Sequence, residues 1–267
     1  MIQQQATILW NRPLGAGCYH MALACPQGYD KARPGQFVMV QVPSTQGPLL
    51  RRPFSIFGLL DEHQFPKGIE LLYKVVGRGT DQMAQLAPDR RLDVLGPLGH
   101  AFKHDIRHKS IYLAAGGIGV APIRFFAQRV IAQGRNAGSC HVFLGGRSQD
   151  DLLCRTDFAR LGMPVTITTD DGSAGDQCLI TDPLASAIMD RQPDMVYACG
   201  PHGMLSCVAG IVARYGVPCQ VSVETMMACG IGACLGCAME SRHDPGSYLH
   251  ACINGPVFDV NDLCLAD

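Results

Sequence analysis

Four cysteines near the C-terminus have a spacing that suits a metal centre. Cys229, Cys234 and Cys237 follow the pattern C-x4-C-x2-C, and Cys252 comes after fourteen intervening residues. This is the ligand spacing of plant-type [2Fe–2S] proteins, in which four thiolates hold two irons. Glycines within the loop allow it to wrap closely around a cluster, because glycine tolerates a positive φ. We therefore predict that these four cysteines ligate a [2Fe–2S] cluster.

Two other interpretations of these cysteines remain open. A structural zinc site can also use four cysteines, although such sites are more often built from two C-x2-C pairs. The four residues could also be unligated, since a free cysteine behaves as a small buried hydrophobe. The chain contains 13 cysteines, and most of the others stand singly and fit that second description. Cys264 lies outside the pattern and is not predicted to be a ligand.

Residues in the first half of the chain suit a flavin nucleotide. The run Arg52-Pro53-Phe54-Ser55 offers a guanidinium for a pyrophosphate, a ring that can stack on a flavin and a hydroxyl for a flavin nitrogen. About twenty residues later, the run 72–80 ends in Gly-Arg-Gly-Thr, whose backbone N–H groups can face a phosphate. The first run alone would equally fit an ordinary arginine at a strand end. Together the two runs predict an FAD site.

Two glycine turns in the second half suit a dinucleotide. Gly116, Gly117 and Gly119 join a predicted buried strand to a predicted helix, where N–H groups and the helix dipole favour a phosphate. The run Cys199-Gly200-Pro201 repeats this strand–turn–helix arrangement. Both turns fall at the sheet edge where ligands bind in open α/β proteins, so we predict an NAD site. Cys199 is a candidate neighbour of the nicotinamide, with a buried cysteine before a tight turn as the alternative.

The spacing of apolar residues divides the chain into three parts. Short β-type runs separated by Gly and Pro predict a barrel or sandwich, with strands at 6–10, 18–24, 36–42, 54–59, 69–76 and 92–94. Strands at 110–115, 140–144, 165–169, 195–199 and 219–223 then alternate with helices at 121–133, 150–161, 182–190 and 202–215, which predicts a parallel α/β sheet. The predicted domains are 1–104 for FAD, 105–218 for NAD and 219–267 for the cluster.

The composition excludes several classes of function. A net charge of −1 with no basic stripe argues against nucleic-acid binding. No apolar run is long enough to span a membrane, and the N-terminus has no signal-peptide pattern, so we expect a cytoplasmic protein. The run 170–173 (Asp-Asp-Gly-Ser) follows a predicted strand and suits either a nucleotide contact or a plain turn.

These motifs, taken together, resemble a known family. Over its first two parts the sequence is similar to the ferredoxin–NADP reductase superfamily, through Arg52-Pro53-Phe54-Ser55, the glycine turns and Cys199-Gly200-Pro201. Over its whole length it resembles the electron-transfer subunits of the NAD-dependent, heteromeric dihydroorotate dehydrogenases, most specifically through the cysteine loop. Two positions depart from the family pattern: Met226, where an arginine is usual, and Asn254, where an aspartate is usual.

The resemblance implies a ferredoxin-reductase-like fold, namely a β-barrel plus an α/β domain, with a small C-terminal [2Fe–2S] domain. It implies FAD contacts at Arg52, Pro53, Phe54, Ser55, Leu72, Tyr73, Lys74, Gly79 and Thr80. It also implies a partner subunit that holds FMN and oxidises dihydroorotate, two copies of each subunit forming a heterotetramer. Electrons would pass through the cluster and FAD to NAD⁺ in pyrimidine biosynthesis.

Two other functions remain compatible with the sequence. The chain could be a reductase subunit with the same cofactors in a sulfide dehydrogenase, a hydrogenase or an NADH-dependent ferredoxin reductase. It could instead be a nucleotide-sensing module with a zinc knuckle, which would contain zinc and no flavin.

Overall fold

A computed structural model describes residues 1–25, 27–42, 49–60, 63–244 and 246–265. Within these residues, six antiparallel strands close into a barrel in the order β1-β2-β5-β4-β3-β6. The strands are β1 (Ile2–Gly15), β2 (Cys18–Ala24), β3 (Phe37–Gln41), β4 (Arg52–Leu59), β5 (Gly68–Lys74) and β6 (Arg91–Leu98). The predicted barrel is therefore confirmed, although β1 extends well beyond the predicted strand at both ends.

Alternating side chains explain why these segments form barrel strands. In β6, Leu92 and Val94 point into the core while their neighbours face outward, as the two-residue period of a strand requires. They pack there with apolar residues of the other strands, among them Ile8, Leu23 and Leu71. The barrel thus encloses a core of its own, and its strand ends are free to present polar groups.

A second sheet follows the barrel, as the alternating pattern predicted. Its strands in the described residues are β7 (Ile111–Gly116), β8 (Cys140–Gly146), β9 (Val165–Thr169), β10 (Met195–Cys199), β11 (Cys219–Ser222) and, as the edge strand, β14 (Val257–Asp259). β14 pairs antiparallel with β11, and the other pairs are parallel. The helices are α2 (Val120–Ala132), α3 (Arg155–Arg160), α4 (Thr181–Asp190) and α5 (His202–Tyr215).

Successive residues of β7 supply two different cores, one on each face of this sheet. Leu113 packs with Ile123 and Phe126 of α2, whereas Ala114 packs with Leu184 of α4 and Leu205 of α5. Helices therefore cover both faces of the sheet, which is the arrangement expected for parallel strands.

One local prediction needs correction. The single helix predicted over 150–161 is wrong in its first half, because Cys154 adopts a left-handed φ of 62° and α3 begins only after it. In the run that ends in Gly-Arg-Gly-Thr, helix α1 (Arg78–Ala84) starts directly after Gly77, so these backbone N–H groups belong to the first turn of a helix, and their contact with a phosphate stays a prediction. Thr80 fixes this start: its Oγ1 accepts hydrogen bonds from the backbone N–H groups of Val76 and Gly77, at 2.9 and 3.2 Å.

The C-terminal segment is tied to both preceding parts. It contributes β14 to the large sheet and forms a hairpin of β12 (Ala238–Glu240) and β13 (Tyr248–His250). At the exit from the barrel, His100 donates its backbone N–H to the carbonyl of Gly255, at 2.6 Å. A Cβ added at Gly99 would lie only 2.5 Å from Pro256, so glycine is needed for this close approach. Among the described residues, no helix is both long and apolar enough to cross a membrane.

Candidate functional site

A cleft of about 300 Å³ opens between the barrel, the start of α2 and the residues that follow β11. Eight of the nine residues predicted to contact FAD line it: Arg52, Pro53, Phe54, Ser55, Leu72, Tyr73, Lys74 and Thr80. The ninth, Gly79, is buried beside Thr80 in α1. The structure therefore brings together two runs that are separated by about twenty residues in the sequence, as the flavin prediction requires.

Strand pairing explains how the barrel presents this cleft. Ser55 lies opposite Phe37 of β3, and Phe54 meets Tyr73 of β5 edge to face, with ring centroids 5.8 Å apart. The Tyr73 hydroxyl donates a 2.9 Å hydrogen bond to the side chain of Asn11, which fixes the ring within the barrel. The aromatic wall of the cleft is thus held by β-strands and by a part-buried hydrogen bond.

Two cationic side chains of the cleft already have partners. The guanidinium of Arg52 donates to the backbone carbonyls of Leu50 and Arg51, at 2.8 and 3.2 Å. The ammonium of Lys74 lies 2.9 Å from a carboxylate oxygen of Asp151, which belongs to the α/β part of the chain. Arg52 keeps donors for an anion because a guanidinium carries five N–H groups. Lys74, in contrast, joins the two parts of the protein.

The two predicted glycine turns meet at the carboxyl ends of β7 and β10, which are neighbours in the sheet. A Cβ added at Gly119 would lie 2.5 Å from the carbonyl oxygen of Cys199, and one added at Gly116 would lie 2.7 Å from the sulfur of Met204. Gly117 has a φ of 52° and no atom near its missing Cβ. Gly116 and Gly119 therefore allow close contact between the two turns, whereas Gly117 leaves the backbone surface open.

Cys199 is packed inside the protein at the end of β10. Its side chain is 1% exposed and belongs to the core that also contains Val120 and Leu144. Burial raises the pKa of its thiol far above the ordinary value, so the thiol is neutral. These facts agree with the alternative of a buried cysteine before a tight turn, and its place beside a nicotinamide stays a prediction.

The four cysteines of the C-terminal segment lie as two pairs. The Sγ atoms of Cys237 and Cys252 are 3.1 Å apart and buried. Cys229 accepts a hydrogen bond of 3.4 Å from the backbone N–H of Cys234, and a second of the same length from Ile231. In the part of the chain that the structure describes, no three His, Cys, Asp or Glu side chains already surround a single metal position.

The electrostatics of the two pairs differ. Burial raises the pKa of Cys229, but hydrogen bonds from the backbone N–H groups of Ile231 and Cys234 outweigh burial. The net result is a pKa lowered to about 7. Burial raises the pKa of Cys252 to about 12, and the neighbouring Cys237 adds to that effect. The outer pair, Cys229 and Cys234, thus receives hydrogen bonds that stabilise a thiolate. The inner pair, Cys237 and Cys252, lies in an apolar environment.

Several lining residues were missed by sequence reasoning. Glu224 and Met227 line the cleft just after β11, and Ile118 lines it from the glycine turn before α2. The surrounding protein desolvates the carboxyl of Glu224 and raises its pKa, although the side chain still reaches solvent through the open cleft. The rule that ligands bind at the carboxyl ends of strands could have identified Glu224, because it stands two residues after β11.

The run from Asp170 to Ser173 forms a turn that satisfies its own polar groups. Ser173 donates both its hydroxyl and its backbone N–H to a carboxylate oxygen of Asp171, at 2.6 and 2.9 Å. Its hydroxyl also accepts the backbone N–H of Gln149, at 2.8 Å. This geometry agrees with the plain turn that the sequence left open.

A buried ion network joins the barrel to α2, and it should make stability depend on pH. Glu70 contacts both Arg124 and His20; burial raises its pKa, but these two partners lower it below the ordinary value. It is therefore ionised when folded, and its contribution is complete above about pH 4.3 and lost as the pH falls through the lowered value. We expect urea unfolding of Glu70→Gln to show weaker acid dependence and a loss of about 3 kcal/mol at pH 7.

The matched control for that measurement is Glu240→Gln, because Glu240 is exposed on β12. It should reproduce the pH dependence of the unaltered protein. Equal acid dependence in Glu70→Gln and in the unaltered protein would show that the network carries no proton linkage.

Comparison with known proteins follows the same division of the chain. The model of the "Iron-sulfur cluster binding domain of dihydroorotate dehydrogenase B" matches residues 224–264. The model of the "Oxidoreductase NAD-binding domain" matches residues 113–210. The first contains all four cysteines of the two pairs, and the second contains both glycine turns. These matches confirm the predicted cluster-binding and NAD-binding character of the two regions.

Whole-chain similarity is equally specific. The chain is 38% identical to the "Dihydroorotate dehydrogenase B (NAD(+)), electron transfer subunit" of Desulforamulus reducens, over 90% of each chain. It is 35% identical to the subunit of the same name from Caldanaerobacter subterraneus subsp. tengcongensis, over 98% of each. A solved structure of an NADH-dependent reduced ferredoxin–NADP oxidoreductase matches with a TM-score of 0.84 and 26% identity, over 97% of this chain and 90% of that one. The chain belongs to the family of dihydroorotate dehydrogenase B electron-transfer subunits.

Proposed function

We propose that this protein moves electrons from an FMN-containing dihydroorotate dehydrogenase subunit to NAD⁺, in the synthesis of pyrimidines. The observation that carries the proposal is the continuity of the two candidate sites. Met227 lines the flavin cleft and stands two residues before Cys229. Phe37 of the barrel, which also lines the cleft, belongs to the same hydrophobic core as Cys237 and Cys252. A cluster and a flavin bound here would be neighbours, as electron transfer between them requires.

The paired cysteines fit a binuclear cluster. A [2Fe–2S] cluster needs two thiolates for each of its two irons. We assign Cys229 and Cys234 to one iron and Cys237 and Cys252 to the other, since these are the pairs that already lie together. The backbone N–H groups directed at Cys229 suit a thiolate, because hydrogen bonds to the charged form stabilise it.

The flavin and nucleotide residues have separable tasks. Arg52 and the start of α1 would neutralise the FAD pyrophosphate, while Phe54 and Tyr73 would hold a ring against the barrel. The turns at Gly116, Gly117 and Gly119 and at Gly200 and Pro201 would hold the NAD pyrophosphate. When bound, the cluster would carry single electrons, and FAD would combine two of them with a proton into one hydride.

The outer cysteine pair marks the side for the partner subunit. Cys234 is exposed, and apolar side chains beside it in the chain are exposed as well, including Ile231 and Leu235. Met226, just before the loop, is 87% exposed. Such apolar surface is typical of protein interfaces. We propose that the FMN subunit covers it and that two copies of each subunit form a heterotetramer.

The domain boundaries and location belong to the same proposal. We assign residues 1–104 to FAD, 105–218 to NAD and 219–267 to the cluster. The last segment shares the large sheet through β11 and β14, so it functions as part of one body rather than as a separate module. A cytoplasmic location suits the four thiols, because a reducing compartment keeps cysteines available for iron.

A second candidate is a reductase subunit of another complex with the same cofactors, such as a sulfide dehydrogenase, a hydrogenase or an NADH-dependent ferredoxin reductase. The match to an NADH-dependent ferredoxin–NADP oxidoreductase over 97% of the chain favours the last of these.

Anaerobic purification followed by reconstitution tests the proposal. We expect FAD, two irons and two sulfides per chain, as one [2Fe–2S] cluster requires. Dihydroorotate-dependent NAD⁺ reduction should require both this chain and the FMN subunit. A colourless protein, or zinc without flavin, would contradict the cofactors. Flavin and cluster present, but with electrons accepted only from ferredoxin, would favour the second candidate.

A further inference from the structure

One side chain of α2 connects the flavin half of the protein to the nucleotide half. Arg124 lies one turn into the helix, and its side chain is only 13% exposed. Its guanidinium carbon lies 4.2 Å from the centre of the Phe57 ring in β4. Its Nη1 lies 3.4 Å from a carboxylate oxygen of Glu70 in β5 and 3.4 Å from the carbonyl of Phe57. Its Nε lies 3.8 Å from Asp157 in α3.

The barrel is shaped around this contact. A Cβ added at Gly58 would lie 2.6 Å from Glu70 and 3.1 Å from Arg124, so the strand carries glycine where the ion pair passes. Glu70 is held from its other side by His20 of β2, at 2.9 Å. The guanidinium of Arg124 therefore contacts two barrel strands and α3, and β2 is linked to it through Glu70. A lysine could reach only part of this set, because its single ammonium lacks the planar fork of arginine.

The elements that meet here also form the candidate site. β4 begins with Arg52, and β5 ends with Tyr73 and Lys74, which line the flavin cleft. α2 begins directly after Gly119, at the turn proposed for the dinucleotide. Arg124 is not among the described residues that line the cleft, but it joins the helix of one wall to the strands of the other.

We propose that Arg124 is a positioning residue that sets the distance between the flavin and the nicotinamide. The inference rests on the proposed function, since it assumes hydride exchange between FAD and NAD. The step is the ordinary one: two electrons would pass singly from the cluster to the flavin, a proton would join them from solvent, and the two electrons and the proton would leave together as one hydride to the nicotinamide. Reduction by NADH is the same sequence in reverse, with release of the proton. A misplacement of about 1 Å between reacting groups can reduce a rate about a hundredfold without changing binding. Loss of Arg124 should therefore lower the rate of hydride transfer more than the affinity for NADH.

The test is anaerobic stopped-flow reduction of the FAD- and cluster-loaded protein by NADH. For Arg124→Met, which keeps an apolar stem over Phe57, we expect the limiting rate to fall about ten- to a hundredfold. The dissociation constant for NADH should change less than about threefold. The long-wavelength charge-transfer absorbance of the nicotinamide–flavin complex should weaken, and this signature does not depend on turnover. Arg124→Lys should fall between Arg124→Met and the unaltered protein.

Controls separate positioning from general damage. Arg107→Met removes an exposed ion pair with Asp105 and should leave every readout unchanged. Glu70→Gln removes the partner that holds Arg124 to the barrel, so it should reproduce part of the loss in the limiting rate. The double variant Glu70→Gln/Arg124→Met should be little slower than Arg124→Met alone, because both changes break the same contact. If Arg124→Met does not fold, Glu70→Gln and Arg124→Lys decide the question.

Two results would overturn the inference. One is an unchanged limiting rate and charge-transfer band in the Arg124 and Glu70 variants. The other is a loss of NADH affinity with no loss of limiting rate, which would make Arg124 a binding residue. Failure of the unaltered protein to accept electrons from NADH would instead refute the proposed function, so the two failures are distinct.

Discussion

Replacement of Cys252 by serine is expected to remove the cluster and to leave FAD in place. The Cys252 thiol is buried and lies 3.1 Å from that of Cys237, so no solvent-exposed group can replace it as a ligand. The flavin cleft is lined mainly by β4 and β5, which contribute no residue to the core that contains these cysteines. Electron transfer from the partner subunit to NAD⁺ should fall at least about a hundredfold, because even changes beside metal ligands can cost that much. Reduction of FAD by NADH should stay within about twofold.

Iron, sulfide and flavin analysis of the purified variant measures the first effect, and stopped-flow reduction measures the second. Cys264→Ser is the matched control, because Cys264 is an exposed cysteine of the same segment outside the four. It should keep the full iron content. A Cys252→Ser protein that retained two irons would remove Cys252 from the ligand set.

Replacement of Gly119 by alanine is expected to have the second largest effect. The new Cβ would lie 2.5 Å from the carbonyl oxygen of Cys199 and 2.7 Å from the backbone nitrogen of Gly200. Neither is the end of a flexible side chain, so the two turns must separate. We expect a loss of about 3 kcal/mol in the free energy of unfolding, at the upper end for overpacking. NADH binding should weaken strongly, because both turns are proposed to hold its pyrophosphate.

Gly203→Ala provides the matched control for that result. Gly203 lies in the first turn of α5 with no atom within 4 Å of its missing Cβ. Alanine there should leave NADH binding unchanged and raise stability by up to about 1 kcal/mol, since alanine favours a helix over glycine. Equal behaviour of the two variants in urea unfolding and NADH titration would mean that close contact between the turns has no importance.

The sequence was most informative where function depends on residues that lie close together in the chain. The cysteine spacing, the run that begins at Arg52 and the glycine turns are short motifs. The structure places the Arg52 run in one cleft with the run that ends at Thr80, and it brings the two glycine turns together at neighbouring strand ends. The alternation of apolar residues also predicted the barrel and the sheet, because it reports which face of each strand is buried. These features need no knowledge of how distant segments meet.

Features that depend on distant segments were not predictable in this way. The contact of Arg124 with Glu70 requires a helix of one part to pack on strands of the other, and neither residue stands in a motif. The left-handed Cys154 shortens α3, although the apolar pattern continues through it, because periodicity carries no information on a single backbone angle.

The junction of Gly99 and His100 with Gly255 and Pro256 has a consequence for the order of events during synthesis. The residues of the barrel and of most of the sheet are synthesised before residue 256. Domains generally fold as the chain is made. Until then the exit from the barrel lacks the carbonyl that receives the His100 N–H, and the sheet lacks its edge strand β14. Iron insertion also waits for Cys252, which is made just before this junction. Closure of the body and completion of the metal site thus depend on one stretch of chain, which is made after the barrel and most of the sheet.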